Sequence, residues 1–404
     1  MKKTFRLLAF SFVSAALMSC ENEALPVIDN MIYINGADAG RVGTIDMATE
    51  GDTELQFTVR LAKAVDHDVT VSIAIDPQVI EDYNERYQGG YKPVEKSNIK
   101  APVLTTIPAG SVNSNPVVVK VSPFETGGAK YAIGVKVSST GDIPVAEETS
   151  KFIFYMMKPL HQMVPKWKKD CAAQCLPYTD WGMELLNCTL EWWCRLVPYY
   201  ESRPFYVNNQ CLIHCTSSKE NNGMYVRFGD LVYGSYDFNY LQVKTMGGQF
   251  DTGNPAEGKG LSANTWYHFA VSYDGTTGES KLYQDGQLVA VFSSMAGVPM
   301  YIDAVRLAQN MSYDYVEMCQ LRLWKTTRTE AQISNNMRSE VEYTDKDLVM
   351  YLPMNEGPGA KVINDVANDD ENETKHSATF GVIPSLSGDA GGKYEAHGWN
   401  EYAF

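Results

Sequence analysis

Basic residues are scarce in this 404-residue sequence, in which 34 lysines and arginines stand against 49 aspartates and glutamates, for a formal charge of −15. This excess of negative charge argues against nucleic acid or another polyanion as a partner. Histidine is rare too, and none of the 6 histidines has the His-x-x-x-His spacing of zinc hydrolases. The Gly-x-Ser-x-Gly motif of serine hydrolases is also missing. The sequence therefore lacks the usual local signatures of a hydrolytic enzyme.

Long apolar runs are missing as well, apart from residues 7–18, which follow three basic residues near the N-terminus. This run is too short for a permanent membrane helix, which needs about 20 apolar residues. Its length and its basic flank predict a signal peptide over residues 1–19. We expect no second membrane-spanning segment.

The run ends in Leu17-Met18-Ser19-Cys20, which resembles the lipobox of bacterial lipoproteins. The resemblance implies lipidation of Cys20, a short tether over residues 20–28 and anchoring in the outer membrane. Glu21-Asn22-Glu23 is similar to the acidic signal that sends some lipoproteins to the cell surface. We therefore expect a surface-exposed lipoprotein.

No cysteine occurs between residues 21 and 170, and the other seven lie beyond. In an exported protein they allow up to three disulfides with one thiol left over, although spacing does not give the pairing. Zinc is a weaker alternative, since His214 is the one imidazole near the Cys-x-x-x-Cys pairs. Buried free thiols are a further alternative. The seven are Cys171, Cys175, Cys188, Cys194, Cys211, Cys215 and Cys319.

Residues 29–157 contain short runs of alternating apolar and polar residues, such as 54–61 and 69–75. Alternation of this kind, bounded by turn residues, predicts a β-sandwich of Ig-like type. One helical stretch is predicted at 77–87. Nothing in this half groups titratable residues in a catalytic pattern.

Four segments of this half resemble the N-terminal domain of unknown function found in surface lipoproteins of glycan-scavenging gut bacteria. Some members of that family carry an endo-β-N-acetylglucosaminidase barrel after this domain. No Asp-x-x-Asp-x-Asp-x-Glu run occurs here, so that activity does not carry over. The four segments are residues 69–76, Tyr83-Asn84 followed by Tyr91, Ile107-Pro108-Ala109-Gly110, and residues 131–137.

Prolines at 159 and 165 mark a predicted linker over residues 158–179, after which aromatic residues become frequent. A second domain is predicted over residues 180–404. Thr327-x-x-Glu330 has the spacing of a helix capping box leading into Ile333. The predicted strands are 189–196, 223–228, 241–245, 266–273, 280–283, 288–292, 305–307, 319–324 and 348–353.

This second half resembles a laminin G-like, concanavalin A-like jelly roll. The resemblance implies an all-β sandwich that binds carbohydrate. The sequence departs from the family at Cys319-Gln320, where an Asp-Glu pair is common, so any role of those carboxylates does not carry over. The segments that carry the resemblance are Thr189-x-Glu191-x-Trp193-x-Arg195 and residues 266–275, 282–286, 321–324 and 348–357.

Carbohydrate recognition uses flat aromatic faces with polar groups beside them. Strand alternation places Glu191, Trp193 and Arg195 on the face opposite to Leu190 and Trp192. Trp193 and Glu191 are therefore candidate ligand residues, with packing of Trp193 against a neighbour as the alternative. Residues 228–240 interleave aromatic and polar residues and predict a rim loop, whose candidate ligand residues are Tyr233, Tyr236, Asp237, Asn239 and Tyr240.

Laminin G-like domains often hold calcium at a rim site, and calcium prefers hard oxygen ligands. Candidate ligands here are Asp274, Asn310 and Asp314. They form no recognisable loop motif. Ca²⁺ is therefore the one cofactor that the resemblance suggests.

The sequence favours a non-catalytic, glycan-binding lipoprotein that serves an outer-membrane glycan-uptake system. Its expected partners are a glycan or glycoprotein, N-linked host glycans among them by family association, and other uptake proteins. One alternative is a glycoside hydrolase with dispersed carboxylates, for which Glu191, Asp314 and Glu317 are the first suspects. The other alternative is an adhesive or structural surface protein.

Overall fold

The computed structural model describes residues 29–37, 42–48, 51–87, 89–167, 173–175, 183–202, 204–233, 238–309, 311, 314–367, 378–380 and 395–404. Cys20, Cys171, Tyr236, Asp237 and Asn310 lie outside these residues. Within the described ranges, no helix combines the length and hydropathy that crossing a membrane requires. Nearly all of the regular structure is β-strand, as the alternating patterns predict.

The first domain is a sandwich of short strands. Its larger sheet has the order β2-β11-β10-β5-β8, with β6 beside β10, and its smaller sheet has the order β3-β9-β7. The elements are β1 (Ile32–Ile34), β2 (Val42–Asp46), β3 (Thr53–Phe57), β4 (Val59–Leu61), β5 (Val69–Ile75), α1 (Gln78–Tyr87), β6 (Lys92–Pro93), β7 (Ile99–Lys100), β8 (Leu104–Ile107), β9 (Val117–Val121), β10 (Tyr131–Ser139) and β11 (Lys151–Met157).

The core of this domain follows from strand alternation. In β3, Leu55 and Phe57 are buried while Glu54 and Gln56 between them face solvent. The same pattern in β5 and β9 fills one apolar core between the sheets. The helix predicted at 77–87 is confirmed as α1, which packs Val79 and Ile80 against β10 and β11.

The second domain contains two large sheets with a single apolar core between them. Its elements are β12 (His161–Trp167), β13 (Ala173–Cys175), β14 (Met183–Leu185), β15 (Asn187–Val197), β16 (Gln210–Thr216), β17 (Met224–Phe228), β18 (Leu241–Thr245), β19 (Gly248–Asp251), β20 (Tyr267–Asp274), β21 (Glu279–Gln284), β22 (Gln287–Ser293), β23 (Met300–Ile302), β24 (Ala304–Leu307), β25 (Tyr315–Trp324), α2 (Glu330–Asn336), β26 (Leu348–Leu352), β27 (Val362–Ile363), β28 (Ala378–Phe380) and β29 (Gly398–Ala403).

We call these two sheets sheet I and sheet II. Sheet I has the order β22-β21-β20-β15-β25-β12-β29, with β26 beside β25. Sheet II has the order β19-β18-β17-β16-β24-β13-β28-β27. Consecutive neighbours in both sheets pair antiparallel, so each strand turns one face to the core and the other outward.

The linker predicted over residues 158–179 is wrong for its first half. Residues His161–Trp167 form β12, which pairs with β29 along its whole length and with the end of β25. Alternation explains this, because Val164 and Trp167 are fully buried in the core of the second domain. Pro165 has no backbone N–H, and a β-strand tolerates proline at a position where no N–H is needed for strand pairing. Residues 158–160 alone therefore separate β11 from β12.

The predicted capping box is also displaced. The N-cap of α2 is Thr329, whose hydroxyl oxygen accepts from the Gln332 backbone N–H at 3.2 Å, and Gln332 Oε1 accepts in return from the Thr329 N–H at 2.9 Å. Thr327 instead donates its hydroxyl to the Tyr273 carbonyl oxygen at 3.0 Å. Both threonines are followed three residues later by a Glu or Gln, which a capping box requires. In the folded chain, Thr329 with Gln332 forms the box.

Disulfides are not formed by the described cysteine side chains. Cys188, Cys194, Cys211, Cys215 and Cys319 are all buried free thiols. Burial raises the pKa of Cys194, Cys211 and Cys215 to about 12, so these thiols stay protonated and unreactive at neutral pH. These five cysteines are therefore the buried free thiols given above as an alternative, and the two cysteines that remain cannot form three disulfides.

The two domains contact each other through the loop before β10 and the segment between α2 and β26. The Gly127 carbonyl oxygen accepts from the Tyr343 N–H at 3.1 Å, and Lys92 Nζ lies 2.5 Å from Glu342 Oε1. Gly128 has a φ of +75°, and a Cβ there would lie 1.7 Å from the Val341 carbonyl oxygen. Glycine at this position therefore allows the two backbones to touch.

We expect Gly128→Ala to weaken the contact between the domains more than Gly127→Ala does. Both glycines have positive φ, which costs an alanine about 1–2 kcal/mol. The Gly127 position has open space around it, whereas a methyl group at 128 meets Val341. The measurement is the thermal midpoint of each variant, together with the rate of proteolysis at residues 158–160.

The matched pair separates backbone strain from the domain contact. An equal loss of stability and equal cleavage rates in the two variants would contradict the role given to this contact.

Candidate functional site

The outer face of sheet II carries a cross-strand row of polar side chains. Arg306 of β24 pairs with His214 of β16, which pairs with Tyr225 of β17. Tyr225 pairs with Lys244 of β18, and Lys244 with Gln249 of β19. Because their chain neighbours Ile213, Val226, Val243 and Leu307 point into the core, these five side chains point outward. We call Arg306, His214, Tyr225, Lys244 and Gln249 the polar row.

The middle of the polar row is held by hydrogen bonds. His214 Nδ1 lies 3.0 Å from Gln309 Oε1, and the imidazole meets the Tyr225 ring edge-on at 4.9 Å. Tyr225 donates its hydroxyl to Asn209 Oδ1 at 3.0 Å. Since an amide oxygen accepts only from a protonated nitrogen, His214 carries its proton on Nδ1 and offers Nε2 as an acceptor.

His214 is neutral at pH 7. Burial lowers its pKa below the ordinary value of 6.5, the Gln309 hydrogen bond offsets part of this effect, and the nearby Arg306 adds a smaller lowering. Burial also raises the pKa of Tyr225, whose hydroxyl stays protonated. The row therefore offers an imidazole acceptor and an aromatic face, with a cation near each end.

A cavity of about 380 Å³ opens beside the polar row. His214, Tyr225, Lys244 and Gln249 line it, together with the turns at 221–222 and 245–248. Its size lies within the range of about 300–1,000 Å³ found for small-molecule sites. No aspartate or glutamate is among the described residues that line it.

A second set of polar residues adjoins the row and fixes its edge. Arg227 donates from Nη1 to Asn209 Oδ1 at 2.9 Å and from Nε to Gln242 Oε1 at 3.0 Å, and it forms an ion pair with Asp230. Asn209 thus joins Tyr225 to Arg227. This network holds Tyr225 in place without a bound ligand.

Two family models match the chain. A family of N-terminal domains matches residues 28–144. The laminin G-like model of the concanavalin A-like lectin/glucanases superfamily matches residues 177–334, which include all five residues of the polar row. These residues are therefore similar to the concanavalin A-like lectin/glucanases superfamily. This confirms the jelly roll predicted from the sequence.

The chain also matches solved structures from several sources. A candidate carbohydrate-binding protein from Bacteroides ovatus is 19% identical, with a TM-score of 0.60 over 92% of this chain and 97% of its own. EndoBT-3987 of Bacteroides thetaiotamicron, solved with a Man5GlcNAc product, is 15% identical over 31% of this chain and 30% of its own, with a TM-score of 0.26. A Limulus polyphemus pentraxin is 14% identical over 43% of this chain and 80% of its own, with a TM-score of 0.30. No curated protein matches the chain.

The rim loop predicted in the concanavalin A-like domain lies at the edge of the polar row. Tyr233 is half-buried and donates its hydroxyl to Asp251 Oδ1 at 2.7 Å. Tyr240 is only 1% exposed, and its hydroxyl oxygen accepts from the Asp230 N–H at 2.7 Å. Asn239 donates to the Leu261 carbonyl oxygen at 3.1 Å. Tyr240 is therefore a buried support rather than a ligand residue, while the roles of Tyr233 and Asn239 stay predictions.

The two candidates on β15 are not accessible. Trp193 is 4% exposed, donates from Nε1 to the Met337 carbonyl oxygen at 2.6 Å, and packs on Phe404. Glu191 is fully buried. Alternation places both on the outer face of sheet I as predicted, but α2, the residues after it and the C-terminal strand cover that face. The prediction that they bind ligand is wrong for this physical reason.

Glu191 is instead the centre of a buried charged cluster. Its Oε1 lies 2.6 Å from Arg328 Nη1, and its Oε2 lies 3.8 Å from His268 Nε2 and 3.9 Å from Arg322 Nη1. Burial, together with the two arginines, lowers the pKa of His268 well below 6.5, so His268 is neutral. The Arg328 guanidinium also stacks 4.1 Å above the Trp324 ring. The cluster binds α2 to sheet I.

The other hydrolase suspects also have protein partners. Glu317 pairs with Arg195, accepts from Tyr402 Oη at 2.9 Å and from Asn400 Nδ2 at 2.5 Å. Asp314 accepts from the Tyr199 N–H and from Gln210 Nε2, each at 3.1 Å. A glycosidase needs two carboxyl groups that flank an open cleft. These carboxylates are instead used to hold strands together.

The calcium candidates Asp274 and Asp314 do not lie together. Asp274 pairs with the first residue of β15, and Asp314 precedes Tyr315, which pairs with the last, so the length of β15 separates them. Asp274 Oδ1 already accepts from the Thr276 and Thr277 N–H groups at 2.9 and 3.4 Å. Among the described residues, no group of three or more metal-ligating side chains occurs.

The polar row itself was missed by the sequence reasoning. A signal was present, because Tyr225 and Arg227 alternate with buried apolar residues, as do Gln242 and Lys244. The 210–216 strand was not predicted, since cysteine and histidine in it obscure the alternation. Without this strand, the sequence does not show that His214 lies between Arg306 and Tyr225.

We expect Glu191→Ala to destabilise the protein by about 3–5 kcal/mol, because it leaves the buried Arg328 without its partner. Glu279→Ala is the control, since Glu279 pairs with Lys281 at the surface and its loss costs about 1 kcal/mol or less. Urea denaturation of both variants measures the free energies of unfolding. Similar losses in the two would show that the Glu191 cluster does not hold α2 to sheet I.

Proposed function

We propose that the chain is a non-catalytic carbohydrate-binding protein that holds a glycan on the outer face of sheet II. The observation that carries the proposal is the contrast between the two sheets. Glu191 and Trp193 of sheet I are buried under α2, the residues after it and the C-terminal strand, whereas the polar row of sheet II lies beside a cavity of about 380 Å³.

The chemistry of the polar row suits a sugar ring. Tyr225 offers an aromatic face for the apolar side of a pyranose. His214 Nε2 accepts from a hydroxyl, while Lys244 donates to one, and Gln249 does both. Because Asn209 and Gln309 already orient Tyr225 and His214, little side-chain ordering is needed on binding.

Several features support binding without catalysis. The described lining of the cavity contains no carboxylate, and Glu191, Asp314 and Glu317 are engaged elsewhere. A retaining or inverting glycosidase requires a pair of carboxyl groups beside the scissile bond. We therefore expect a glycan to leave this site unchanged.

The cellular setting belongs to the same proposal. Lipidation at Cys20 would anchor the protein in the outer membrane, with Glu21-Asn22-Glu23 directing it to the cell surface. There it would capture glycans, N-linked host chains among them, for an outer-membrane uptake system. The first domain would then act as a spacer between the lipid and the glycan site.

We expect Tyr225→Ala to reduce glycan binding at least tenfold, because it removes the aromatic platform at the centre of the polar row. The measurement is a glycan array with the chain from Glu21 onward, followed by calorimetry on the best ligand. Tyr87→Ala in the first domain is the control, since Tyr87 is 47% exposed and lies outside the second domain.

Equal loss in both tyrosine variants, or full binding by Tyr225→Ala, would remove the polar row from the site. Breakdown of the arrayed sugars during incubation would replace the proposal with a hydrolase. Equal binding to glycosylated and deglycosylated host protein would replace it with an adhesive protein.

The lipid anchor has its own test. We expect Cys20→Ala to release the protein from membranes, because the thiol is the only acylation site that the lipobox offers. Metabolic labelling with a radioactive fatty acid and fractionation of cells measure this, with Cys171→Ala as the control. Label on the Cys20→Ala protein would contradict lipidation at Cys20.

A further inference from the structure

The open face of sheet II is cationic although the whole chain is acidic. Two of its five polar-row residues, Arg306 and Lys244, carry a positive charge, while the chain has a formal charge of −15. The strands of His214 and Tyr225 lie between theirs, so the two backbone positions are about 14 Å apart, at three strand spacings of about 4.8 Å. Tyr225 lies between them.

The nearest described carboxylates do not neutralise these cations. Asp230 pairs with Arg227, and Asp251 accepts from Tyr233 and from the Gly253 N–H. No ion pair of Lys244 or Arg306 occurs with a described carboxylate. In contrast, Lys92, Lys120, Lys281 and Arg328 each have a carboxylate within 2.6 Å.

Arg306 is also preorganised for an anion. It is half-buried on β24, and its Nε is shielded from solvent with no hydrogen-bond partner among the described residues. A guanidinium that is neither fully solvated nor paired gains more from a planar carboxylate than an exposed lysine does.

We infer that the glycan held on the polar row carries an acidic group, a carboxylate or a sulfate, which pairs with Arg306 while the adjoining ring lies on Tyr225. This inference rests on the proposed function and narrows its ligand class. The overall negative charge argues against a long polyanion, so the inferred glycan carries a single acidic group.

The test is an array of matched glycans that differ only in one terminal acidic sugar. The pairs are sialyllactose against lactose, a glucuronic-acid-terminated oligosaccharide against its glucose-terminated counterpart, and a sulfated lactose against lactose. We expect the acidic member of at least one pair to bind tenfold or more tightly, with a preference that weakens as ionic strength rises. The carboxylate and sulfate pairs identify which acid is recognised.

Arg306→Gln tests the residue. In this variant we expect the ratio of the affinity for the acidic glycan to that for the neutral glycan to fall to about two or below. Arg306→Lys should restore part of this ratio, because lysine keeps the positive charge but lacks the planar guanidinium. Lys120→Gln is the control, since Lys120 is a surface cation of the first domain paired with Glu54, and the ratio should not change. Thermal midpoints confirm that each variant is folded, and Lys244→Gln serves as a second variant if Arg306→Gln does not fold.

Equal binding of acidic and neutral members would overturn this inference, and the proposed function would stand if Tyr225→Ala removed that binding. An acidic preference that survives in a folded Arg306→Gln variant would also overturn it. Absence of binding to every glycan would overturn both proposals.

Discussion

The burial of Glu191 between Arg328, Arg322 and His268 is the constraint on which the arrangement of the second domain depends. A carboxylate removed from water is stable only with close cationic partners, and here Arg328 comes from the segment leading into α2. The Arg322 guanidinium continues the network through Gln320 to Gln162 of β12. This polar network therefore fixes α2 on the outer face of sheet I and links it to β12, the strand of that sheet that follows the first domain.

Once that face is closed, sheet II is the surface that the jelly roll leaves open to a ligand. Its polar row follows from strand alternation, and the bonds from Asn209 and Gln309 hold its aromatic and imidazole rings in place. Gly127 and Gly128 of the first domain contact residues 341–343, which follow α2 in the chain. The first domain is therefore attached to the segment that follows the helix covering sheet I. The fold thus separates a supporting face from a binding face.

Strand alternation made β15 and β25 predictable, the helical stretch at α1 was predicted as well, and the family resemblance implied the jelly roll. The same alternation placed Glu191 and Trp193 on one face correctly, yet it could not show that Met337 and Phe404, more than 140 residues away, cover them. His214 and Arg306 meet only through sheet pairing across 92 positions, for which no local pattern exists. A site formed by paired strands that are far apart in the chain leaves no local sequence pattern, so single segments of the sequence do not predict it.

The central claim is that a glycan lies on the outer face of sheet II, and a crystal structure of the protein with a bound oligosaccharide tests it most directly. The account predicts a sugar ring against Tyr225, within hydrogen-bond distance of His214 Nε2 and Lys244 Nζ, with Glu191 and Trp193 still covered by α2 and the C-terminal strand. A sugar bound on sheet I, with Arg328 withdrawn from Glu191, would contradict it.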